Sequence, residues 1–83
     1  MTNLLSVVII TKNEGEFIGD AIRSAMFADE ILILDSDSID DTCKIAKKLG
    51  ARVESQFWLG YGPQKNKAVD LALNDWVFVL DSD

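Results

Sequence analysis

The sequence predicts an α/β fold, a parallel sheet with helices packed on its faces in the order β-α-β-α-β-α-β. Three observations carry this: apolar runs rich in β-branched residues, helical apolar spacing between those runs, and short joints of polar residues and glycine. The chain has 83 residues, 48% of them hydrophobic. That is room for one small domain, spanning 1–83, which buries only a little over roughly 60% of its unfolded surface. It is too apolar for a disordered chain.

Leu4 to Thr11 reads as a strand buried on both faces, because almost no polar residue interrupts it. From Glu16 to Phe27 the apolar positions Phe17, Ile18, Ala21, Ile22, Ala25 and Met26 form one broad helical stripe. Glu30 to Asp35 is a second buried strand. Ile39, Cys43, Ala46 and Leu49 space a second helix that stops at Gly50, with Lys44, Lys47 and Lys48 suited to its C-terminal dipole. Arg52 to Gln56 is a shorter third strand, followed by an aromatic and glycine loop from Phe57 to Gly62. Pro63 then starts a third helix running to about Leu73, and Trp76 to Leu80 is the fourth strand.

Composition removes several functions. With 14 acidic against 8 basic residues the formal charge is −6, which argues against nucleic acid as a partner and disfavours anionic membranes. One cysteine and no histidine exclude an internal disulfide, a Cys/His zinc set and any imidazole base. Chemistry must come from carboxylates, lysines, hydroxyls or a metal held by oxygen. The longest apolar run is about seven residues, against roughly 18 to 20 for a membrane span. The N-terminus has no basic region of the secretory kind, so the expected location is cytoplasmic.

In open α/β sheets ligands bind at the carboxyl ends of the strands. Here those ends carry Thr11, Lys12, Asn13 and Glu14, then Asp35 to Ser38, then Asp81, Ser82 and Asp83. Capping by Ser38 or Asp40 explains acids near the second helix. It leaves Asp35 and Asp37 unexplained, and crowded carboxylates call for a cation or for ligand donors. Asp81 and Asp83 can converge on one hard cation, Mn²⁺ or Mg²⁺, and its phosphates. Lys65, in the first turn of the third helix, can reach a diphosphate as a point charge. Cys43 and Trp76 are expected in the core. Trp58 and Tyr61 fit either loop packing or a platform for a sugar ring.

Four segments together, Ser6 to Glu14, Asp35 to Thr42, Gly60 to Ala68 and Trp76 to Asp83, closely resemble the N-terminal half of family 2 glycosyltransferases with the GT-A fold. Within these the likeness is greatest to the lipopolysaccharide-core β-1,4-glucosyltransferase branch. The resemblance implies a Rossmann-like nucleotide-diphospho-sugar half-domain, truncated after its fourth strand, with the first and fourth strands adjacent. It implies that Thr11, Asn13, Glu14, Asp35, Asp37, Lys65 and Asp81 bind a UDP-sugar, Glu14 near the ribose and an acid of the Asp35 to Asp37 turn near the uracil imide. Asp81 and Asp83 match the D-x-D pair that holds Mn²⁺ or Mg²⁺ against the diphosphate. The implied reaction is inverting transfer of a hexose, glucose in that branch, to a saccharide or lipid-linked saccharide such as lipopolysaccharide core. For the full-length protein that allows a peripheral place on the inner face of the cell membrane.

The turn after the second strand departs from the family pattern. Asp37 stands where the family has Gly, and Ile39 where it has Thr. An inverting transfer also needs a carboxylate base, which the family keeps in its second half, so no catalytic residue is expected within these residues and the chain alone is expected to be inactive. The side of Trp76 to Leu80 left without a partner strand is expected to favour self-association. Two alternatives fit less well. A phospho-acceptor receiver module would end its third strand in Asp, where this chain has Glu54-Ser-Gln56, and a nucleotidyltransferase would carry a basic glycine-rich loop where this chain has Thr11 to Gly15.

Overall fold

The computed structural model describes residues 4–81, the last of them through its backbone. Four strands, β1 (Leu5–Thr11), β2 (Glu30–Asp35), β3 (Arg52–Ser55) and β4 (Trp76–Asp81), alternate with three helices, α1 (Ile18–Ser24), α2 (Thr42–Lys48) and α3 (Tyr61–Leu71). All strand pairs are parallel and the order is β3-β2-β1-β4, as the GT-A half-domain requires. The chain winds outward from β1 to β3 and then crosses back to the other side of β1. Strand order therefore reverses between β1 and β4, the switch point where such sheets bind ligands.

Alternate residues of the central strands feed two cores. Val7, Ile9 and Ile33 pack with Ile18, Ile22 and Ala25 of the α1 region and with Ala46 of α2. On the opposite face Val8, Leu32 and Leu34 pack against Ala68 of α3. The central strands are thus apolar on both sides, which is why their sequences read as unbroken runs.

α1 and α2 are shorter than the apolar spacing predicts, and α3 is displaced toward the N-terminus, ending at Leu71 and not Leu73. α1 ends at Ser24, leaving Met26 and Phe27 in a following turn, exposed. α2 starts at Thr42, so Ile39 belongs to the loop before it and is 93% exposed. α3 starts at Tyr61 and not at Pro63, which moves Lys65 into its second turn. Trp76, expected in the core, is 61% exposed: Val77 and Val79 face the α3 layer, while among the described residues no helix covers Trp76 and Phe78 on the other face. The end of α2 follows expectation. Gly50 takes φ 92°, its N–H bonds the Lys47 carbonyl at 3.1 Å and the Ala51 N–H bonds the Ala46 carbonyl at 3.1 Å, the two bonds of a Schellman cap.

A polar network closes the amino end of the sheet. The Glu30 carboxylate accepts from Ser6 Oγ at 2.7 Å, Leu73 N–H at 3.0 Å and Arg52 Nη1 at 3.1 Å. Arg52 Nη1 also donates to the Leu71 carbonyl at 2.9 Å. This one carboxylate joins β1, β2, β3 and the turn after α3.

Candidate functional site

The register sets the ends of β1, β2 and β3 level and that of β4 one residue away. Thr11 pairs with Asp35, Asp35 with Ser55 and Ile10 with Asp81. The acids and hydroxyls singled out in the sequence therefore share the carboxyl edge.

Asp35 is buried at 2% exposure, and it needs no cation to be there. Its carboxylate accepts the Ser38 N–H at 2.9 Å and the Ser38 hydroxyl, so the turn itself supplies the donors that the sequence suggested a ligand or metal must bring. Asp37 has φ 53°. That is the left-handed conformation for which the family uses Gly, and Asp is among the few residues that enter it readily. Asp37 thus sustains a left-handed turn without glycine.

Capping is shared differently from expectation. The residue before α2 is Asp41, whose side chain makes no capping bond. Asp40, one position earlier, accepts the Thr42 N–H at 3.0 Å, the Thr42 hydroxyl and the Gly15 N–H at 3.0 Å. Those Thr42 bonds hold the Asp40 carboxyl below its ordinary value of 3.8, against a small opposing effect of burial.

Asn13 and Glu14 also serve this junction. The Asn13 N–H donates to Ser38 Oγ at 2.7 Å, while Asn13 Oδ1 accepts the Ile39 N–H at 2.8 Å. The Glu14 N–H donates to Thr42 Oγ1 at 2.9 Å. With the Ser36 N–H bonded to the Thr11 carbonyl at 2.9 Å, the loops after β1 and β2 are locked together. Asn13, predicted to bind nucleotide, thus commits its side-chain oxygen to the neighbouring loop. Thr42, fully buried, was not foreseen as a site residue; its one signal was an Asp-x-Thr step at the helix start.

Thr11 is 3% exposed, and its Oγ1 is a buried hydroxyl without a hydrogen-bond partner among the described residues. Lys65 is exposed on α3. Cys43 is half-buried rather than in the core; burial, then a hydrogen bond and the charge of Asp35, push its thiol up to about 11, so it stays protonated and a poor nucleophile.

Gln64 is the second unforeseen residue. Fully buried on α3, it donates from Nε2 to Ser36 Oγ at 2.8 Å and accepts the Leu59 N–H on Oε1 at 3.1 Å. Its signal was a polar residue four positions before buried Ala68, on the inner stripe of the helix.

The Asp81 side chain and all of Asp83 lie outside the described residues. Among the described residues no three His, Cys, Asp or Glu side chains converge as a metal set, and no helix is long and apolar enough to cross a membrane. Asp81 does end β4 beside Ile10, at the switch point.

Residues 6–83 match the profile of Glycosyl transferase family 2. An uncharacterized glycosyltransferase of Rickettsia conorii is 48% identical over 84 residues, covering 100% of this chain and 30% of that protein. The lipopolysaccharide core biosynthesis glycosyltransferase LpsC of Rhizobium meliloti is 33% identical, covering 95% of this chain and 31% of LpsC. Among solved structures, glucosyl-3-phosphoglycerate synthase from Mycobacterium tuberculosis, in complex with Mn²⁺, UDP and glucosyl-3-phosphoglycerate, superposes with a TM-score of 0.84 at 32% identity, covering 98% of this chain and 34% of the synthase. The chain thus spans about a third of the length of the relatives it matches.

Proposed function

The chain belongs to glycosyl transferase family 2, and from that membership we propose that it forms the nucleotide-sugar-binding part, residues 1–83, of an inverting hexosyltransferase. The donor is a UDP-hexose, glucose by the likeness to a glucosyl synthase whose structures hold UDP and UDP-glucose. The acceptor is a saccharide, of the lipopolysaccharide-core class by the likeness to LpsC. A cytoplasmic place suits a UDP-sugar donor.

One observation carries this reading: the register that brings Thr11, Asp35 and Asp81 within one residue of each other at the carboxyl ends of β1, β2 and β4, beside the switch point. Around it the roles divide. Glu14 faces the ribose, Asp35 or Asp37 accepts the uracil imide N–H, and Lys65 meets the diphosphate. The Thr11 hydroxyl, without a partner among the described residues, and the Asn13 amide nitrogen complete the nucleotide contacts. Asp81 and Asp83 hold Mn²⁺ or Mg²⁺, which when bound offsets the charge of the departing diphosphate. Transfer also needs a carboxylate to take the acceptor's proton. That base is placed outside these residues, so the chain by itself binds nucleotide weakly and transfers nothing.

Calorimetry with UDP tests this directly. UDP binding is expected to depend on Mn²⁺ and to weaken about tenfold or more in Asp83→Asn. Equal UDP affinity with and without metal would remove the role given to Asp81 and Asp83.

The outer side of β4 has no partner strand among the described residues, and Trp76 and Phe78 stand exposed beside it. The isolated chain is therefore proposed to self-associate through that edge. Sedimentation velocity should show a species larger than a monomer at high concentration; a single monomer boundary there would remove the proposal.

A further inference from the structure

The loop between β3 and α3 carries an aromatic pair that the nucleotide contacts do not use. Trp58 and Tyr61 meet edge to face, ring centroids 5.0 Å apart and planes at 88°, and yet remain 47% and 78% exposed. An aromatic pair serving only as loop packing would turn its faces inward. This one leaves about half of Trp58 and most of Tyr61 in solvent, in the loop that follows the carboxyl end of β3.

The loop is also held in place. Gln64 ties it through the Leu59 N–H and the Gln56 carbonyl to Ser36, directly after Asp35, and the Gln56 N–H bonds the Asp35 carbonyl at 2.9 Å. Gly60, at φ 104° and ψ 161°, takes a backbone conformation essentially confined to glycine, which lets the chain double back between the two rings. From Phe57 to Pro63 there is no charged side chain. An exposed, fixed, uncharged aromatic surface suits a ligand with an apolar face and a hydroxylated rim, which Trp Nε1–H and Tyr O–H can meet. It does not suit a phosphate.

We propose that Trp58 and Tyr61 form a shelf on which a neutral pyranose ring stacks beside the nucleotide edge. The inference rests on the transferase reading only for the source of the sugar, the hexosyl group of the donor or a ring of the acceptor.

Both sources can be tested on the 83-residue chain by following the Trp58 indole N–H resonance while titrating UDP, UDP-glucose or cellobiose in the presence of Mn²⁺. A sugar-bearing ligand should move that resonance, and Trp58→Ala and Tyr61→Ala should each weaken its binding about tenfold, with UDP affinity kept within about twofold. Loss confined to UDP-glucose assigns the shelf to the donor, and loss confined to cellobiose assigns it to the acceptor. Sugar affinity unchanged in both variants, or an equal loss for UDP itself, which would mean a nucleobase on the shelf, overturns the proposal. A chain that binds cellobiose through Trp58 but no UDP would keep the shelf and overturn the nucleotide reading instead.

Discussion

Glu30→Ala is expected to lower the unfolding free energy by about 3 kcal/mol, a large part of what a domain of this size has. The carboxylate holds Ser6, which is fully buried, the Leu73 N–H and Arg52, and its own side chain is only 10% exposed. Removing it strands the buried Ser6 hydroxyl, frees the solvent-facing Leu73 N–H and leaves Arg52 without its better-buried partner. Arg52 keeps a third of its side chain in water, which sets the estimate at the low end of the range for broken buried pairs. The contrast is Asp20, paired with Arg23 at 2.9 Å but 86% exposed, where substitution should cost only about 0.3 kcal/mol.

The same carboxylate makes stability depend on pH. Burial pushes Glu30 up, but the Leu73 N–H, the Ser6 hydroxyl and the Arg52 guanidinium together outweigh it and hold the group below its ordinary value of 4.5. The unfolded chain therefore takes up this proton first on acidification. The contribution is complete above about pH 4.5 and is lost as pH falls through the lower folded value. Urea unfolding at pH 7 and at a series of acid pH values should show the difference between the parent chain and Glu30→Ala shrinking toward low pH. Equal midpoint shifts for Glu30→Ala and Asp20→Ala at pH 7 would contradict the account.

The strands were legible in the sequence because β1 and β2 are apolar on both faces, and a continuous run leaves little else for them to be. Helix limits were less so. Apolar spacing treats every apolar residue as inward-facing, and Phe17, Met26, Ile39 and Trp76 are not. What decides their exposure is which helix covers which end of the sheet, a tertiary matter no local window contains. The carboxyl edge was legible as a place, since strand ends can be counted from strands. Its internal bonding was hidden, because Asn13 with Ser38, Glu14 with Thr42 and Gln64 with Ser36 are pairs 25 to 28 residues apart. Asp35 illustrates the consequence: its crowding with Asp37 invited a ligand, and its donors come from Ser38 three residues on.

That hidden bonding has a measurable effect at Thr42. Thr42→Val keeps the shape and the buried methyl but removes a hydroxyl that accepts the Glu14 N–H at 2.9 Å and donates to Asp40. A backbone donor at the edge of the core then loses its partner, and a loss of about 2 kcal/mol in stability is expected. Val and Thr are close in volume, so a cavity does not contribute. The bonds from Asn13 to Ser38 and Ile39 remain, which keeps the loop after β1 near its place but lets Glu14 swing. Since Glu14 is the residue given to the ribose, UDP affinity should fall with stability in Thr42→Val, and Thr42→Ser, which keeps the hydroxyl, should restore both. Chemical denaturation and UDP calorimetry on the two variants separate the outcomes. A Thr42→Val protein as stable as the parent would mean that water replaces the hydroxyl at no cost; one that loses stability yet binds UDP unchanged would mean that the lock between the two loops does not position Glu14.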